Sequence, residues 1–233
     1  MEIIMNYKAV QKVAKNTIKF LEDKIVQGVT VNQIVKLAED YMLYSGISSF
    51  WYHGVGAFVF AGEDTLLSIS GRDYVPSKRV ISKNDIVTID LSPQYENIWG
   101  DYSRTLIIEA GIVVRNHDNI SNSEFRDGLT AEKILHSKLL EIVSPDMTFE
   151  ELYILMNDQI KYLGYKNLDF SNNLGHSIES ESNNRIYIER GNKSRLSDAF
   201  MFTFEPHIRK SGSIYGFKME NIYYFENKSL VEL

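Results

Sequence analysis

Two stretches of this chain repeat one pattern, about 118 residues apart. IVQGVTVNQIVKLAEDYMLYSG begins at Ile25, and IVSPDMTFEELYILMNDQIKYLG begins at Ile142. Each opens with Ile-Val and ends at a glycine that follows its threonine by sixteen residues. Two unrelated amphipathic helices with caps can look alike, but the strand segments after each stretch also fall nearly in register. We therefore predict one domain, residues 1–233, built from two similar halves at about 1–115 and 120–233.

Local patterns predict the elements of each half. Thr30 with Gln33, and Thr148 with Glu151, form capping-box patterns that open helices ending near Gly46 and Gly164. Apolar residues at helical spacing predict a preceding helix in each half, and β-branched and aromatic runs predict strands after each pair of helices. The helical patterns cover 5–27 and 122–143, and the strand patterns cover 50–70, 79–110 and 174–230. The predicted fold class is α+β, with helix, helix and strands in each half.

The composition narrows the possible functions. The formal net charge is −6 and the basic residues are scattered, so we expect no nucleic-acid partner. No apolar run is long enough to predict a membrane span, and the first residues do not resemble a secretory signal. We therefore expect no membrane partner and a cytoplasmic location. The chain has no cysteine, so a metal site would need His, Asp or Glu ligands.

Two aspartates interrupt the strand pattern IVTIDLSPQYENIWGDYSRTLIIE. Asp90 follows one β-branched run and Asp101 precedes another, with ten residues between them. A two- or four-residue turn centred on Tyr95-Glu96 would place the two carboxylates directly opposite each other, about 5 Å apart on one face. Two like charges so placed are destabilising unless a cation lies between them or one is protonated. The alternative is a solvated outer face of the hairpin.

The second half carries three more polar side chains in apolar surroundings. His176 follows a glycine in NLGHSIE, Glu205 ends the alternating strand pattern AFMFTFE, and Glu220 interrupts FKMENIYYF. Taken singly, each could be an edge-strand charge or a histidine bonded to a backbone carbonyl.

The five residues together form a recognisable series. The second Asp follows the first by eleven residues, Glu-Pro follows the Gly-His by 29, and the last Glu comes 15 later. This series, in DIVTIDLSP, GDYSRT, TFEP and KMEN, resembles the family of methionine aminopeptidases, prolidases and X-prolyl aminopeptidases, over essentially the whole chain. The short Glu205 to Glu220 interval is closer to the prolidase branch. The resemblance implies a pita-bread fold, with two pseudo-symmetric halves around a curved antiparallel sheet.

The resemblance also implies a site with two divalent metal ions, Mn, Co, Fe or Zn. Asp101 and Glu220 would bridge the two ions, Asp90 would complete one site, and His176 with Glu205 would complete the other. Glu205 would in addition handle the proton of the attacking water, as a general base does. Paired ions of this kind polarise a carbonyl and activate a shared water.

Two histidines of the family pattern are replaced in this chain. Asp73 stands 17 residues before the first aspartate, and Asn183 stands seven residues after His176, where relatives carry histidines that contact the substrate. Loss of such donors can lower the rate by a factor of about 10²–10³. We predict that His53 compensates from a loop, and that Asp73 favours a cationic group of the substrate.

The predicted function is a dinuclear-metal hydrolase of short peptides, similar to an aminopeptidase or an X-prolyl dipeptidase. One alternative is a diverged metalloenzyme of the same fold that acts on a non-peptide small molecule, which the replaced histidines support. Another is a non-catalytic binding module, which retention of all five ligand residues argues against. Relatives of this fold are commonly dimers, so a homodimer is possible.

Overall fold

A computed structural model describes residues 2–233. It contains four α-helices: α1 (Glu2–Glu22), α2 (Val31–Tyr44), α3 (Ser123–Ile142) and α4 (Phe149–Tyr162). The strands are β1 (Ser49–Phe50), β2 (Ala57–Ala61), β3 (Asp85–Leu91), β4 (Pro93–Tyr95), β5 (Ile98–Trp99), β6 (Tyr102–Glu109), β7 (Ile112–Val113), β8 (Tyr165–Asn167), β9 (Phe202–Phe204), β10 (His207–Lys210), β11 (Phe217–Lys218), β12 (Asn221–Glu226) and β13 (Ser229–Glu232). No helix within residues 2–233 combines the length and apolar character needed to cross a bilayer.

The four predicted helices are confirmed, and both capping boxes are present. Thr30 accepts a hydrogen bond from the backbone N–H of Gln33, and Thr148 accepts one from that of Glu151. In each box the third residue of the helix bonds back to the threonine N–H. Both threonines also form isolated antiparallel bridges to a distant strand-like segment. These contacts satisfy the first N–H groups of α2 and α4 and fix where each helix begins.

The centre of the molecule is an antiparallel sheet in the order β2-β3-β6-β7. Its longest ladder pairs all seven residues of β3 with β6. One apolar cluster lies between this sheet and helices α1 and α2, and a second packs around α3 and α4. The buried side chains of α4 follow helical spacing, since Phe149, Leu152, Met156 and Ile160 all lie on the face of the helix that packs into the second cluster.

The predicted register of the aspartate hairpin is wrong by two residues. Asp90 lies opposite Ser103, and Asp101 stands just before β6. The turn lies one residue later than expected, since Tyr95 pairs with Ile98 and Glu96 adopts a positive φ of 54°. A turn moved by one residue shifts the pairing by two positions, so the carboxylates remain on one face but lie diagonally.

Strands are shorter outside the central sheet than the sequence patterns predict. Residues 50–70 include a short 3₁₀-helix at Gly62–Leu66, and residues 174–230 include 3₁₀ turns at Ser182–Asn184 and Leu196–Asp198. The remaining strands form three-stranded sheets in the orders β1-β4-β5, β11-β10-β8 and β13-β12-β9. Isolated bridges, such as Ser103 with Glu220, join these pieces to the central sheet. Polar Ser, Asn and Gly residues in these segments favour turns over ladders.

Candidate metal centre

The fold brings the five sequence-predicted ligand residues together. Their ligand atoms form two groups, each with all atoms within 4.8 Å of one another. The first group, here called the inner group, is Asp101, His176 and Glu220; the second, the outer group, is Asp90, Glu205 and Glu220. Glu220 belongs to both groups, as expected of a bridging ligand, whereas Asp101, the other predicted bridge, belongs only to the inner group. Glu205 also lies 3.8 Å from the His176 Nε2 atom, so it reaches the inner group as well.

The aspartates are held by regular structure. Asp90 lies within the β3 ladder, and α1 fixes the backbone of Asp101. The Gln11 side chain donates from Nε2 to the Asp101 carbonyl oxygen at 2.6 Å and accepts from the Asp101 N–H at 3.1 Å. A buried glutamine on the first helix therefore satisfies both backbone groups of a residue that lies outside the strand pairing.

The histidine is positioned by a close backbone approach. Gly175 has φ of +141°, and a Cβ there would overlap the carbonyl oxygen of Thr203. The His176 N–H donates to Thr203 Oγ1 at 3.1 Å, and the Thr203 N–H donates to the His176 carbonyl at 2.7 Å. The ring Nδ1 lies 3.1 Å from the Ser177 carbonyl, which can only accept, so Nδ1 carries the hydrogen. The Nε2 atom then faces Asp101 Oδ2 at 3.5 Å and is the ring nitrogen left for a metal ion.

The electrostatics of the inner group fit a divalent cation. Glu220 is fully buried, and neither of its carboxylate oxygens has a hydrogen-bond partner among residues 2–233. Burial, and then the neighbouring Asp101 carboxylate, raise the pKa of Glu220 well above its ordinary value. Burial likewise raises the pKa of Asp101 to about 6, although a hydrogen bond with His176 opposes the shift. A bound cation would satisfy these oxygens and stabilise their charged form.

Lys218 is the site residue that the sequence analysis missed. Its Nζ atom lies 2.5 Å from Asp90 Oδ2 and 2.9 Å from Glu205 Oε2. Burial would lower the pKa of Lys218, but Asp90, Glu205 and Glu220 outweigh it and raise that pKa well above its ordinary value. Burial would raise the pKa of Glu205, but Lys218, with smaller contributions from His176 and Arg185, outweighs burial and lowers that pKa. The signal was its position two residues before Glu220, which strand alternation places on the same face.

A cavity of about 410 Å³ opens onto the two groups. Aromatic side chains form much of its wall, and Arg185 lies over the Trp51 ring at 4.6 Å. His207 also lines the cavity, but its Nε2 atom lies 2.7 Å from the Thr65 carbonyl. Burial lowers the pKa of His207 to about 4, so the ring is neutral near pH 7. The cavity therefore combines an apolar wall with a few converging charges, which is typical of small-molecule sites.

The three residues predicted to replace the family histidines do not reach this cavity. His53, Asp73 and Asn183 are all exposed, and none of them lines the cavity. His53 has a positive φ of 56° and packs its ring against Tyr52. Asp73 follows a turn closed by its N–H and the Ser70 carbonyl, and Asn183 lies in a 3₁₀ turn. Their assignment as catalytic residues remains a prediction without geometric support.

Fold and site together define a class: two-half α+β domains with an Asp, Asp, His, Glu, Glu cluster inside a curved antiparallel sheet. The model of the metallopeptidase family M24 matches residues 5–227. The chain belongs to this family. A curated relative, the Xaa-Pro dipeptidase of Pyrococcus furiosus, is 28% identical over 157 residues, which are 65% of this chain and 42% of that protein.

Solved structures share the fold. The prolidase from Pyrococcus furiosus matches with a TM-score of 0.81 and 21% identity, over all of this chain and 60% of that one. The X-Pro aminopeptidase from Thermotoga maritima matches with a TM-score of 0.81 and 21% identity, over 98% of this chain and 60% of that one. A methionine aminopeptidase from Thermotoga maritima matches at 0.75 with 14% identity, over 97% of this chain and 93% of that one. The predicted pita-bread fold and the prolidase-branch resemblance are confirmed. The match with the curated relative covers 42% of that protein, and the chain covers 60% of the prolidase structure, so this chain corresponds to only part of either.

Proposed function

We propose that this chain is a metal-dependent hydrolase of short peptides, similar to an aminopeptidase or an X-prolyl dipeptidase. The observation that carries the proposal is the convergence of four other candidate ligand residues around the buried Glu220 carboxylate, which has no hydrogen-bond partner among residues 2–233. Membership of a metallopeptidase family and the likeness to an Xaa-Pro dipeptidase support the same activity. The expected cofactor is a pair of divalent ions chosen among Mn, Co, Fe and Zn, since all four accept these ligands.

The roles of the side chains follow from their positions. Asp101, His176 and Glu220 would hold one ion, and Asp90, Glu205 and Glu220 would hold the other. When bound, the metal would act as a Lewis acid and make a water nucleophilic. Glu205 is kept ionised by Lys218 and borders the cavity, so it can accept the proton of that water. The Ser177 carbonyl keeps His176 in the tautomer that presents Nε2.

The cavity indicates the size of the substrate. A volume of about 410 Å³ suits a dipeptide or another small molecule better than a long chain. Its aromatic wall can pack an apolar side chain, and the Arg185 guanidinium at that wall places positive charge near the bound molecule. These features support short substrates with an apolar group.

One observation favours the second candidate, a diverged metalloenzyme acting on a non-peptide small molecule. His53, Asp73 and Asn183 all lie outside the cavity, and the His207 ring is engaged with Thr65. The hydrogen-bond donors that relatives direct at a peptide carbonyl are therefore not replaced by these residues. The cytoplasmic location and the homodimer remain predictions from the sequence.

Metal analysis combined with a substrate panel tests the proposal. Purified protein is loaded with Mn²⁺ or Co²⁺, its bound metal is measured by elemental analysis, and release of amino acids from dipeptides and tripeptides is followed. We expect bound metal and turnover, and loss of both in Asp101→Asn. Bound metal without turnover on any peptide would favour the non-peptide alternative. Absence of bound metal at every concentration would refute the hydrolase and favour a binding module.

A further inference from the structure

We propose that the Lys218 ammonium takes the place of one of the two expected cations. In this proposal the inner group binds one divalent ion tightly, and the outer group binds a second ion only when Lys218 is displaced. The inference rests on the proposed function in one respect, namely that these side chains bind metal. It departs from that function in the number of ions, which our sequence analysis and the family resemblance put at two.

The Lys218 ammonium lies where an ion of the outer group would be bound. Lys218 Nζ contacts Asp90 at 2.5 Å and Glu205 at 2.9 Å, and these two carboxylates are the ones that distinguish the outer group from the inner group. A divalent transition-metal ion bound by both would lie about 2.0–2.2 Å from their oxygens. Lys218 occupies one oxygen of each carboxylate, and an ion bound through the other oxygens would lie close to the ammonium, where the two positive charges repel each other strongly.

The inner group differs in the charge around it. Its neighbour among the basic side chains is the His176 ring, 3.5 Å from Asp101 Oδ2, which as a metal ligand would offer a lone pair rather than a charge. Both Glu220 oxygens are without a hydrogen-bond partner among the described residues. A divalent ion there would meet two carboxylates that no ammonium contacts, whereas the outer carboxylates are already compensated.

The backbone holds Lys218 in this position. Its N–H donates to Thr105 Oγ1 at 2.9 Å, and Thr105 Oγ1 lies 3.0 Å from its carbonyl. Phe217, the preceding residue, is fully buried, with its ring against Gly128 of α3. Only the side chain of Lys218 can therefore move, and it borders the 410 Å³ cavity into which it would swing. Displacement is possible but breaks two ion pairs.

Charge counting leads to the same order of binding. The four carboxylates of the site carry four negative charges when ionised, and Lys218 with one divalent ion already supplies three positive ones. The first divalent ion therefore changes the net charge of these groups from −3 to −1, whereas a second ion beside an undisplaced Lys218 would change it from −1 to +1. The second ion meets less negative charge and is repelled by the ammonium and by the first ion, so it binds more weakly than the first.

Titration of metal-free protein with Mn²⁺ tests this inference without reference to activity. We expect isothermal calorimetry on the parent protein to show one tight ion and a second at least about 100-fold weaker. Lys218→Met keeps the length of the side chain without its charge, and should bind two ions with affinities within about tenfold. Lys218→Arg should retain one tight ion. Lys210→Met, at an exposed lysine on β10, is the matched control and should behave as the parent.

Each result has a defined meaning. Two ions of comparable affinity in the parent would overturn the inference and leave the metal-dependent hydrolase intact. One ion in a folded Lys218→Met would also overturn it, because the ammonium would not be the cause. No ion in any variant would refute the inference and the proposed function together. If Lys218→Met does not fold, Asp90→Asn and Asp101→Asn decide. The inference requires that Asp101→Asn weaken the tight ion about 100-fold and that Asp90→Asn leave it within about tenfold; equal losses would overturn it.

Discussion

The two predicted halves of the molecule hold their candidate metal ligands by different means. Residues 2–115 present Asp90 within a seven-residue ladder and Asp101 at its edge, tied to α1 through Gln11. The second half presents His176, Glu205 and Glu220 from short strands and isolated bridges. In the first half, the ligands are positioned by regular strand pairing, so a single substitution should disturb them little. In the second half a few close backbone contacts position them, and changes there should cost more.

The largest expected difference between the halves is the cost of replacing the glycine that precedes a candidate ligand in each of them. Gly175 before His176 has φ of +141°, and a Cβ would overlap the Thr203 carbonyl oxygen. Gly100 before Asp101 would place a Cβ 2.8 Å from Gln11 Oε1, the end of a side chain that can shift. We expect Gly175→Ala to lower the free energy of unfolding by about 3 kcal/mol or more. Gly100→Ala should cost about 1 kcal/mol.

Urea unfolding of both variants in metal-free buffer measures this difference. The matched pair controls for the added methyl group, since both substitutions add one carbon beside a ligand. Equal losses in the two variants would show that the second half is no more dependent on close backbone contacts than the first.

Metal should join the two halves. The inner group takes Asp101 from the first half and His176 and Glu220 from the second, so a bound ion links them. At a free Mn²⁺ concentration of 100 times its Kd, the ion should add about 2.7 kcal/mol to the free energy of unfolding. Thermal unfolding with and without a chelator measures this gain. Asp101→Asn should lose most of it, and an unchanged gain in that variant would show that the ion binds elsewhere.

The comparison also explains how much the sequence could predict. The helices and their caps were predictable because Thr30 and Thr148 act within one turn. The five candidate ligand residues were predictable because their spacing matches a family. The register of Asp90 was missed because it depends on the φ of Glu96, and a shift of one residue in the turn leaves the apolar alternation unchanged. Lys218 was missed because a lysine in a strand pattern ordinarily faces solvent. Its burial follows from contacts across the chain.

In each half, a buried polar side chain of the first helix bonds the backbone at or beside a candidate ligand. In the first half this side chain is a glutamine, which does not titrate, and in the second it is a histidine, which does. Gln11 bonds Asp101, and the His136 Nε2 atom lies 3.0 Å from the Met219 carbonyl while Nδ1 lies 2.7 Å from the Tyr223 hydroxyl. Burial lowers the pKa of His136 from 6.5 to about 3. The unfolded chain takes up this proton below pH 6.5 and the folded chain only near pH 3. Stability is therefore full above pH 6.5 and falls as the pH decreases.

Replacing His136 with glutamine, as in the first half, should remove this dependence. Between pH 7 and pH 5 the parent should lose about 2 kcal/mol more of its free energy of unfolding than His136→Gln does. Denaturant unfolding at several pH values measures the difference. The carboxylates are the same in both proteins, so their contribution to the pH dependence cancels when the two are compared. Parallel pH profiles would mean that His136 is protonated in the folded protein.

The capping boxes should give the smallest effects. Thr30→Ala and Thr148→Ala should each lower the free energy of unfolding by about 1 kcal/mol, since each removes one cap from a 14-residue helix. The first box uses the neutral Gln33, whereas the second uses Glu151, whose pKa is lowered by the Thr148 N–H and then by the Thr148 hydroxyl, and Thr148→Ala removes the hydroxyl bond. The Thr148 box is therefore complete above the ordinary Glu151 pKa of 4.5 and weakens as the pH falls below it. Unfolding at pH 7 and pH 3 should show the cost of Thr148→Ala shrinking in acid while that of Thr30→Ala stays constant. An equal response of both variants to acid would mean that the Glu151 charge contributes nothing to the cap.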